Sequence, residues 1–210
     1  MNNKIATLIK STIQNNLNIE ISDIDIESLV NTLDRIYSDR FFRTFWKPRT
    51  NEYSRSGEGL IDEINRLNPK AVLDVGCGYH PFKGKIQNLL GIDPFNTNAD
   101  YCIDILDFRA ESESYDCIIA LGSINFNDKE HIEQQFKHCV DMLKVNGRFY
   151  LRTNPGINHV QGPYIDIFPW NAEIVNEFAM TYNLELLEFA EEANGRLFFI
   201  YRKLPVQPKK

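Results

Sequence analysis

From residue 57 onward the sequence alternates short apolar segments with amphipathic ones, and this alternation constrains the fold more than any other feature. The apolar segments have the length and composition of strands that are buried on both faces. They are predicted at residues 71–75, 89–92, 101–103, 117–121, 148–151, 184–189 and 197–201. Helices are predicted at residues 58–67, 129–143 and 171–182. Buried strands joined by helices predict an α/β fold with a doubly wound, mostly parallel sheet of seven strands.

The last two predicted strands are separated by only residues 191–195. A connection of this length joins antiparallel neighbours, because a parallel crossover needs a dozen residues or more. The last strand is therefore predicted to run against the others.

The first fifty residues have a helical period and predict an N-terminal helical extension. Apolar residues recur at steps of three and four from Ile5 to Ile13, and Ser22 is a candidate N-cap for a second helix. The predicted organisation is a helical cap at residues 1–50, an α/β domain at residues 51–204 and a tail at residues 205–210. The second helix carries an apolar stripe formed by Leu29, Leu33, Ile36, Tyr37 and Phe41. This stripe is expected to pack on the sheet domain as a wall of an acceptor pocket, or to form a dimer or protein-docking surface.

Composition narrows the function classes. Lysine and arginine number 23 against 29 aspartates and glutamates, giving a net charge of −6 that argues against a nucleic acid partner. No run has the eighteen or so apolar residues of a membrane span, and no signal-peptide pattern is present. The four cysteines contain no C-x-x-C pair, so they are expected to be reduced thiols with no metal site. We therefore expect a cytoplasmic protein, with its oligomeric state left open.

Candidate ligand-binding residues follow four strands in succession. In an open α/β sheet, ligands bind beyond the carboxyl ends of the strands. Glycines at positions 76 and 78 let backbone N–H groups approach a ligand without an intervening Cβ. Asp93 comes nineteen residues after Asp74, where a carboxylate can accept hydrogen bonds from a ribose diol. The candidate set is Asp74, Gly76, Cys77, Gly78, Asp93, Pro94, Asp104, Ile105, Leu121 and Gly122.

These segments resemble the class I, Rossmann-like S-adenosylmethionine (SAM)-dependent methyltransferases. The family's motifs are similar, in order, to residues 72–78 (an acid followed by alternating glycines), 91–93, 104–105 (the adenine-contacting acid and its apolar neighbour), 115–123 and 142–151. The resemblance covers about residues 57–203 and implies SAM as cofactor and S-adenosylhomocysteine (SAH) as product. It also implies that Asp74 helps to hold the methionine amino group.

The implied activity is SN2 transfer of a methyl group to a small-molecule or protein acceptor that the sequence does not name. In such a reaction the protein mainly aligns the reactants, so no catalytic triad is expected. A SAM-binding protein without transfer activity, acting as a structural or regulatory partner, is the alternative.

The sequence departs from the family pattern at the third glycine, which falls at His80 and is followed by Pro81. This leaves only residues 83–88 for a first crossover helix, which is therefore expected to be shortened. A nicotinamide or flavin fingerprint fits less well, since its third glycine would fall on Pro81 and Asp74 would have no role. DNA amino-methylation is disfavoured because Asn154-Pro155 follows the fifth strand, whereas that motif follows the fourth.

The acceptor side is less constrained by the sequence. Tyr53 is a candidate to cover the sulfonium, and Arg55 to pair with the methionine carboxylate, although Arg55 is equally well explained as a solvated surface charge. Residues 153–164 form a long loop rich in proline, glycine and asparagine, which is typical of a functional lid. His159 in this loop is a candidate general base or a solvated loop histidine, and Tyr164 is a second catalytic candidate.

Overall fold

The computed structural model describes residues 3–45, 53–157 and 167–206. They divide into two compact units, one of residues 3–45 and one of residues 53–157 with 167–206. The predicted boundary at residue 50 and most of the predicted tail lie outside the described residues. The helices are α1 (Asn3–Leu17), α2 (Asp23–Arg40), α3 (Gly59–Arg66), α4 (Lys129–Met142) and α5 (Ala172–Thr181). The strands are β1 (Val72–Val75), β2 (Leu89–Ile92), β3 (Tyr115–Leu121), β4 (Leu143–Thr153), β5 (Leu184–Glu192) and β6 (Arg196–Lys203).

The six described strands form one sheet in the order β2-β1-β3-β4-β6-β5. The pairs β1–β2, β1–β3 and β3–β4 are parallel, whereas β6 is antiparallel to both β4 and β5. The predicted α/β class, the mostly parallel sheet and the antiparallel last strand are confirmed.

The prediction of a strand at residues 101–103 is wrong. Tyr101 makes only an isolated parallel bridge with Ile92. The chain then turns at Asp104, whose side-chain Oδ1 accepts a hydrogen bond from the Leu106 N–H and whose carbonyl accepts one from the Phe108 N–H. Because the Asp104 side chain closes this turn, the segment is too short to extend the ladder.

The first crossover contains no helix, which agrees with the shortening expected from Pro81. Residues 81–88 form turns and a bend. Phe82 and Ile86 are buried there and pack in the cluster that contains Leu60 and Ile64 of α3. Two side chains thus cover the part of the sheet that a crossover helix would otherwise cover.

Successive strand residues face opposite sides of the sheet and form two cores, as the alternation of side chains along a strand requires. One core packs the sheet against α4 and α5, and the other packs it against α3. In β3, for example, Ile118 belongs to the first core while Cys117 and Ile119 belong to the second. A doubly wound sheet needs this cover on both faces.

The N-terminal unit contains the two predicted helices. Ser22 caps α2 by accepting the Asp25 N–H, as the sequence predicts. The predicted apolar stripe is only partly buried, because Leu29, Leu33 and Ile36 are exposed while Phe41 is buried. Ile26 and Val30 are the buried aliphatic residues of α2 instead. None of the described helices has the length and hydropathy that crossing a membrane requires.

The aromatic cluster around Phe136 yields a stability prediction. Phe136 of α4 is 0% exposed and lies among the rings of Phe149, Trp170, Phe178, Tyr182 and Tyr201. Phe136→Ala should lower the free energy of unfolding by about 3 to 5 kcal/mol, since it leaves a cavity in a packed core. Phe189→Ala is the matched control, because Phe189 is 40% exposed on the edge strand β5. Urea denaturation of both variants measures the difference, and equal losses would contradict the prediction.

Candidate ligand-binding site

The predicted glycine turn lies at the carboxyl edge of the sheet, between β1 and β2. The N–H groups of Gly76 and Cys77 both donate to the Ile92 carbonyl, at 2.8 and 3.0 Å. Gly76 has a φ of +65°, and a Cβ at that position would collide with the Cβ of Ser123. A glycine is therefore required for the turn to approach the segment after β3. The Oγ of Ser123 is buried there without a hydrogen-bond partner among the described residues.

Asp74 is a buried carboxylate to which none of the described residues donates a hydrogen bond. It is 3% exposed, and within the described residues its side chain accepts no hydrogen bond and forms no ion pair. Burial, together with the nearby charge of Asp93, raises the pKa of Asp74 to about 7, and the charge of Arg152 opposes the shift. A positively charged hydrogen-bond donor would remove this destabilisation of the ionised form.

Asp93 connects the two turns that follow β1 and β2. Its Oδ2 accepts the Gly78 N–H at 2.9 Å, and its Oδ1 accepts the N–H groups of Phe95 and Asn96, both at 2.8 Å. A carboxylate has about four lone-pair positions, so roughly one remains, on Oδ2. Asp93 is thus able to accept one further hydroxyl, whereas the sequence suggested hydrogen bonds from both hydroxyls of a diol.

Arg152, at the end of β4, is a site residue that the sequence analysis missed. It is 6% exposed, and its guanidinium donates to the Ser56 carbonyl and hydroxyl at 3.3 and 3.1 Å and to the Leu121 carbonyl at 3.1 Å. The guanidinium also stacks on the Tyr53 ring, 4.0 Å from its centroid. It forms no ion pair with any described carboxylate, and burial lowers the pKa of this buried cation.

The other arginine, Arg55, is placed differently. Its guanidinium donates to both carboxylate oxygens of Glu188, at 2.8 and 2.5 Å, and to Glu63 at 3.3 Å. The hydrogen bonds to Glu188 raise the pKa of Arg55. The backbone N–H groups of Arg55 and Ser56 donate to Oε1 of the buried Glu192. The structure therefore brings Tyr53 to Arg152 but commits the Arg55 side chain to other carboxylates.

The remaining predicted cofactor residues surround this edge. Ile105 and Leu121 are buried, and Asp104 and Pro94 are half-buried. Gly122 has a φ of +98°, and a Cβ there would have nothing closer than Nδ2 of Asn125 at 3.8 Å and Nη2 of Arg152 at 3.9 Å. A side chain at position 122 would thus begin in van der Waals contact with the amide of Asn125 and the guanidinium of Arg152.

Cys77 carries no obvious chemistry in this position. Burial raises the pKa of its thiol well above the usual range, with the nearby carboxylates adding to the shift. A thiol that stays protonated is neither a nucleophile nor a metal ligand.

The segments that would flank an acceptor are held together by hydrogen bonds. Asn125 Oδ1 accepts the Asn154 N–H at 2.8 Å, and the Asn154 carbonyl accepts the Trp170 N–H at 3.1 Å. His159 and Tyr164, the two catalytic candidates, lie outside the described residues. The residues that the structure does describe contain no cluster of three or more side chains able to hold a metal ion.

Comparisons with known proteins bear on the fold. No protein-family model matches the chain. It is 25% identical over 187 residues to N-terminal Xaa-Pro-Lys N-methyltransferase 1 of Bos taurus, which covers 86% of this chain and 82% of that protein.

Two solved structures cover most of the chain. The 1,6-didemethyltoxoflavin-N1-methyltransferase of Burkholderia thailandensis, crystallised with SAH, superposes with a TM-score of 0.63 and 13% identity over 89% of this chain and 93% of that one. The N-methyltransferase NodS of Bradyrhizobium japonicum WM9, also crystallised with SAH, superposes with a TM-score of 0.57 and 17% identity over 79% of this chain and 96% of that one. The structure and these comparisons confirm the resemblance seen in the sequence: the chain has the fold of the class I SAM-dependent methyltransferases.

Proposed function

We propose that this chain is a SAM-dependent methyltransferase that binds SAM at the carboxyl edge of β1, β2 and β3 and methylates an amine nitrogen. The observation that carries the proposal is the buried pair of Asp74 and Arg152. Among the described residues, Asp74 has no hydrogen-bond donor and Arg152 has no ion-pair partner, and both lie at one edge of the sheet. The amino acid part of SAM is a zwitterion, whose ammonium and carboxylate groups complement these two charges.

The residues fit the whole cofactor. Asp74 would accept a hydrogen bond from the ammonium group, and Arg152 would donate to the carboxylate with the donors that its three hydrogen bonds leave free. Asp93 would bind one ribose hydroxyl, and Asp104 with Ile105 would contact the adenine. Gly76, Cys77, Gly78, Pro94, Leu121 and Gly122 would shape the walls, and Tyr53 would face the sulfur. Arg152 thus replaces Arg55 as the proposed partner of the methionine carboxylate.

Bound SAM supplies an electrophilic methyl group on a sulfonium sulfur. The chain contributes orientation, because methyl transfer requires the acceptor, the methyl carbon and the sulfur to be in line. Ile105 and Leu121 would exclude water from the bound cofactor. His159 or Tyr164 would take the proton that an amine must lose before it attacks.

The amine class of acceptor rests on two observations. The relative and the two solved structures described above are all named N-methyltransferases. The net charge of −6 also favours a cationic acceptor over an anionic one. A small-molecule amine and a protein N-terminus both fit this description, and a cytoplasmic location is proposed from the sequence alone.

The buried Asp74 carboxylate yields a prediction for stability and affinity together. Unfolded Asp74 ionises near pH 4 but the folded residue only near pH 7, so the free protein loses stability as pH rises through this window. Asp74→Asn, which carries no charge, should raise the melting temperature at pH 8 and leave it nearly unchanged at pH 4. The same variant should bind SAH at least about tenfold more weakly, since a charged hydrogen bond is worth about 1.5 to 3 kcal/mol. Calorimetry and thermal melts measure both effects, and unchanged affinity would refute the assignment.

Arg152 and Arg55 provide a matched pair of variants. Arg152→Gln should weaken SAH binding by about ten- to a hundredfold, because the ligand carboxylate loses its charged donor. Binding of 5′-methylthioadenosine, which has the nucleoside but no amino acid part, should change less than about threefold and so reports that the fold is intact. Arg55→Gln should leave both affinities within about threefold. The reverse order of effects would assign the carboxylate to Arg55.

Transfer activity is tested separately from binding. We expect the protein to convert SAM to SAH when supplied with a pool of amine acceptors, including peptides that begin with Xaa-Pro-Lys, and to label the acceptor from tritiated methyl donor. Asp93→Ala, which removes the proposed ribose ligand, is the binding-deficient control. Tight SAM binding without SAH formation across acceptor pools would support the alternative of a SAM-binding protein without transfer activity.

A further inference from the structure

His80, Asp100 and Lys83 form a bridge between the glycine turn after β1 and the loop after β2. The ring Nε2 of His80 lies 2.9 Å from Oδ2 of Asp100, and Nζ of Lys83 donates to Oδ1 of Asp100 at 2.5 Å. The same Oδ2 also accepts the Gly91 N–H at 2.9 Å. Three donors thus converge on one carboxylate, and the hydrogen bonds from Lys83, Gly91 and His80 hold the pKa of Asp100 well below its usual range.

His80 occupies the position where the family pattern has its third glycine. It has a φ of +57°, so its backbone keeps the left-handed conformation that glycine adopts easily and histidine tolerates. Its ring, 1% exposed, lies against Gly91 so closely that a Cβ at position 91 would come within 2.5 Å of Cε1 and Nε2. The substitution at one turn is therefore accommodated by a glycine in the neighbouring strand.

The imidazole is oriented by its hydrogen bond and does not merely fill space. An ionised carboxylate can only accept hydrogen bonds, so Nε2 of His80 donates to Asp100. Nδ1 is buried and has no hydrogen-bond partner among the described residues. Burying a nitrogen without a hydrogen-bond partner costs free energy, so an apolar side chain would suit this position better if the ring served only to pack the turn.

Asp100 and its neighbour Tyr101 also hold the backbone at and just before Asp93. Two residues before Asp93, Gly91 donates to the Asp100 carboxylate and accepts the Asp100 N–H, both at 2.9 Å. At Asp93 itself, the backbone N–H donates to the carbonyl of Tyr101 at 3.2 Å. On the opposite turn, Gly78, two residues before His80, donates to Asp93 Oδ2. The bridge thus sets the separation of the two turns between which the Asp93 carboxylate lies.

We propose that the His80–Asp100 pair positions the Asp93 carboxylate for one ribose hydroxyl of the nucleoside. His80 is assigned a positioning role, because its ring donates to Asp100 and packs against Gly91. The proposal rests on the proposed function, since it assigns Asp93 to the ribose. Without the pair, the glycine turn and the loop after β2 lose one of the hydrogen bonds that join them, and the remaining acceptor position of Asp93 is less firmly directed.

The test compares two ligands that differ only at the ribose: 5′-methylthioadenosine and its 2′,3′-dideoxy form. Wild-type protein should prefer the hydroxylated ligand by about tenfold or more, as one charged hydrogen bond allows. His80→Asn keeps a residue that tolerates positive φ but does not reach Asp100. Its preference should fall below about threefold, mainly through weaker binding of the hydroxylated ligand. His138→Asn, which removes a ring hydrogen bond to the Phe108 carbonyl at 2.9 Å, is the control and should keep the preference.

Each outcome decides one proposal. A merely structural His80 would lower the melting temperature or weaken both ligands equally, leaving the ratio of dissociation constants unchanged, and this would overturn the inference. Gly91→Ala, which pushes the ring away without removing it, should reproduce the loss of preference, and retention of the preference would also overturn the inference. Failure of the wild-type protein to bind either ligand would instead overturn the proposed function.

Discussion

Asp74 and Arg152 put opposite charges into the protein interior at the same edge of the sheet without forming an ion pair with each other. Removing a charge from water costs several kcal/mol unless a partner replaces the lost hydration. Arg152 is partly compensated by carbonyl oxygens and the face of Tyr53, whereas Asp74 accepts no hydrogen bond from the described residues. The free protein therefore contains an electrostatic cost that a zwitterionic ligand would relieve.

The packed cores of the domain supply the stability that offsets the cost of these buried charges. Two apolar cores cover the sheet, and the larger one contains a continuous group of aromatic rings around Phe136 and Trp170. These cores cover the two faces of the sheet, while the charges of Asp74 and Arg152 lie near the strand ends. The packed cores and the proposed site are thus spatially separated, which is typical of open α/β sheets with sites in the loops beyond the strands.

The residues whose positions could be predicted from the sequence are those that directly follow a recognisable strand. Asp74, Gly76 and Asp93 each follow an apolar run, so their place at the strand ends could be inferred. Arg152 was missed because its role depends on Ser56, 96 positions away in the sequence, although an arginine ending an apolar strand was a usable signal. Arg55 is committed to Glu188, a pairing 133 positions apart that no local pattern indicates. The prediction of a strand at residues 101–103 was wrong because the Asp104 side chain closes a turn there, and the pattern of apolar residues gives no sign of that turn.

The departure at the third glycine shows why motif matching alone is an incomplete guide to such a site. A histidine in place of a glycine removes backbone freedom and adds a ring that must be accommodated. Here the ring fits because position 91 has no side chain, and its Nε2 has a hydrogen-bond partner because Asp100 lies in the loop after β2. The two turns are therefore joined by a side-chain hydrogen bond in addition to the backbone hydrogen bonds between them. A rigid connection of this kind lowers the entropy that ligand binding must remove, so the substitution is compatible with a site organised before the nucleoside arrives.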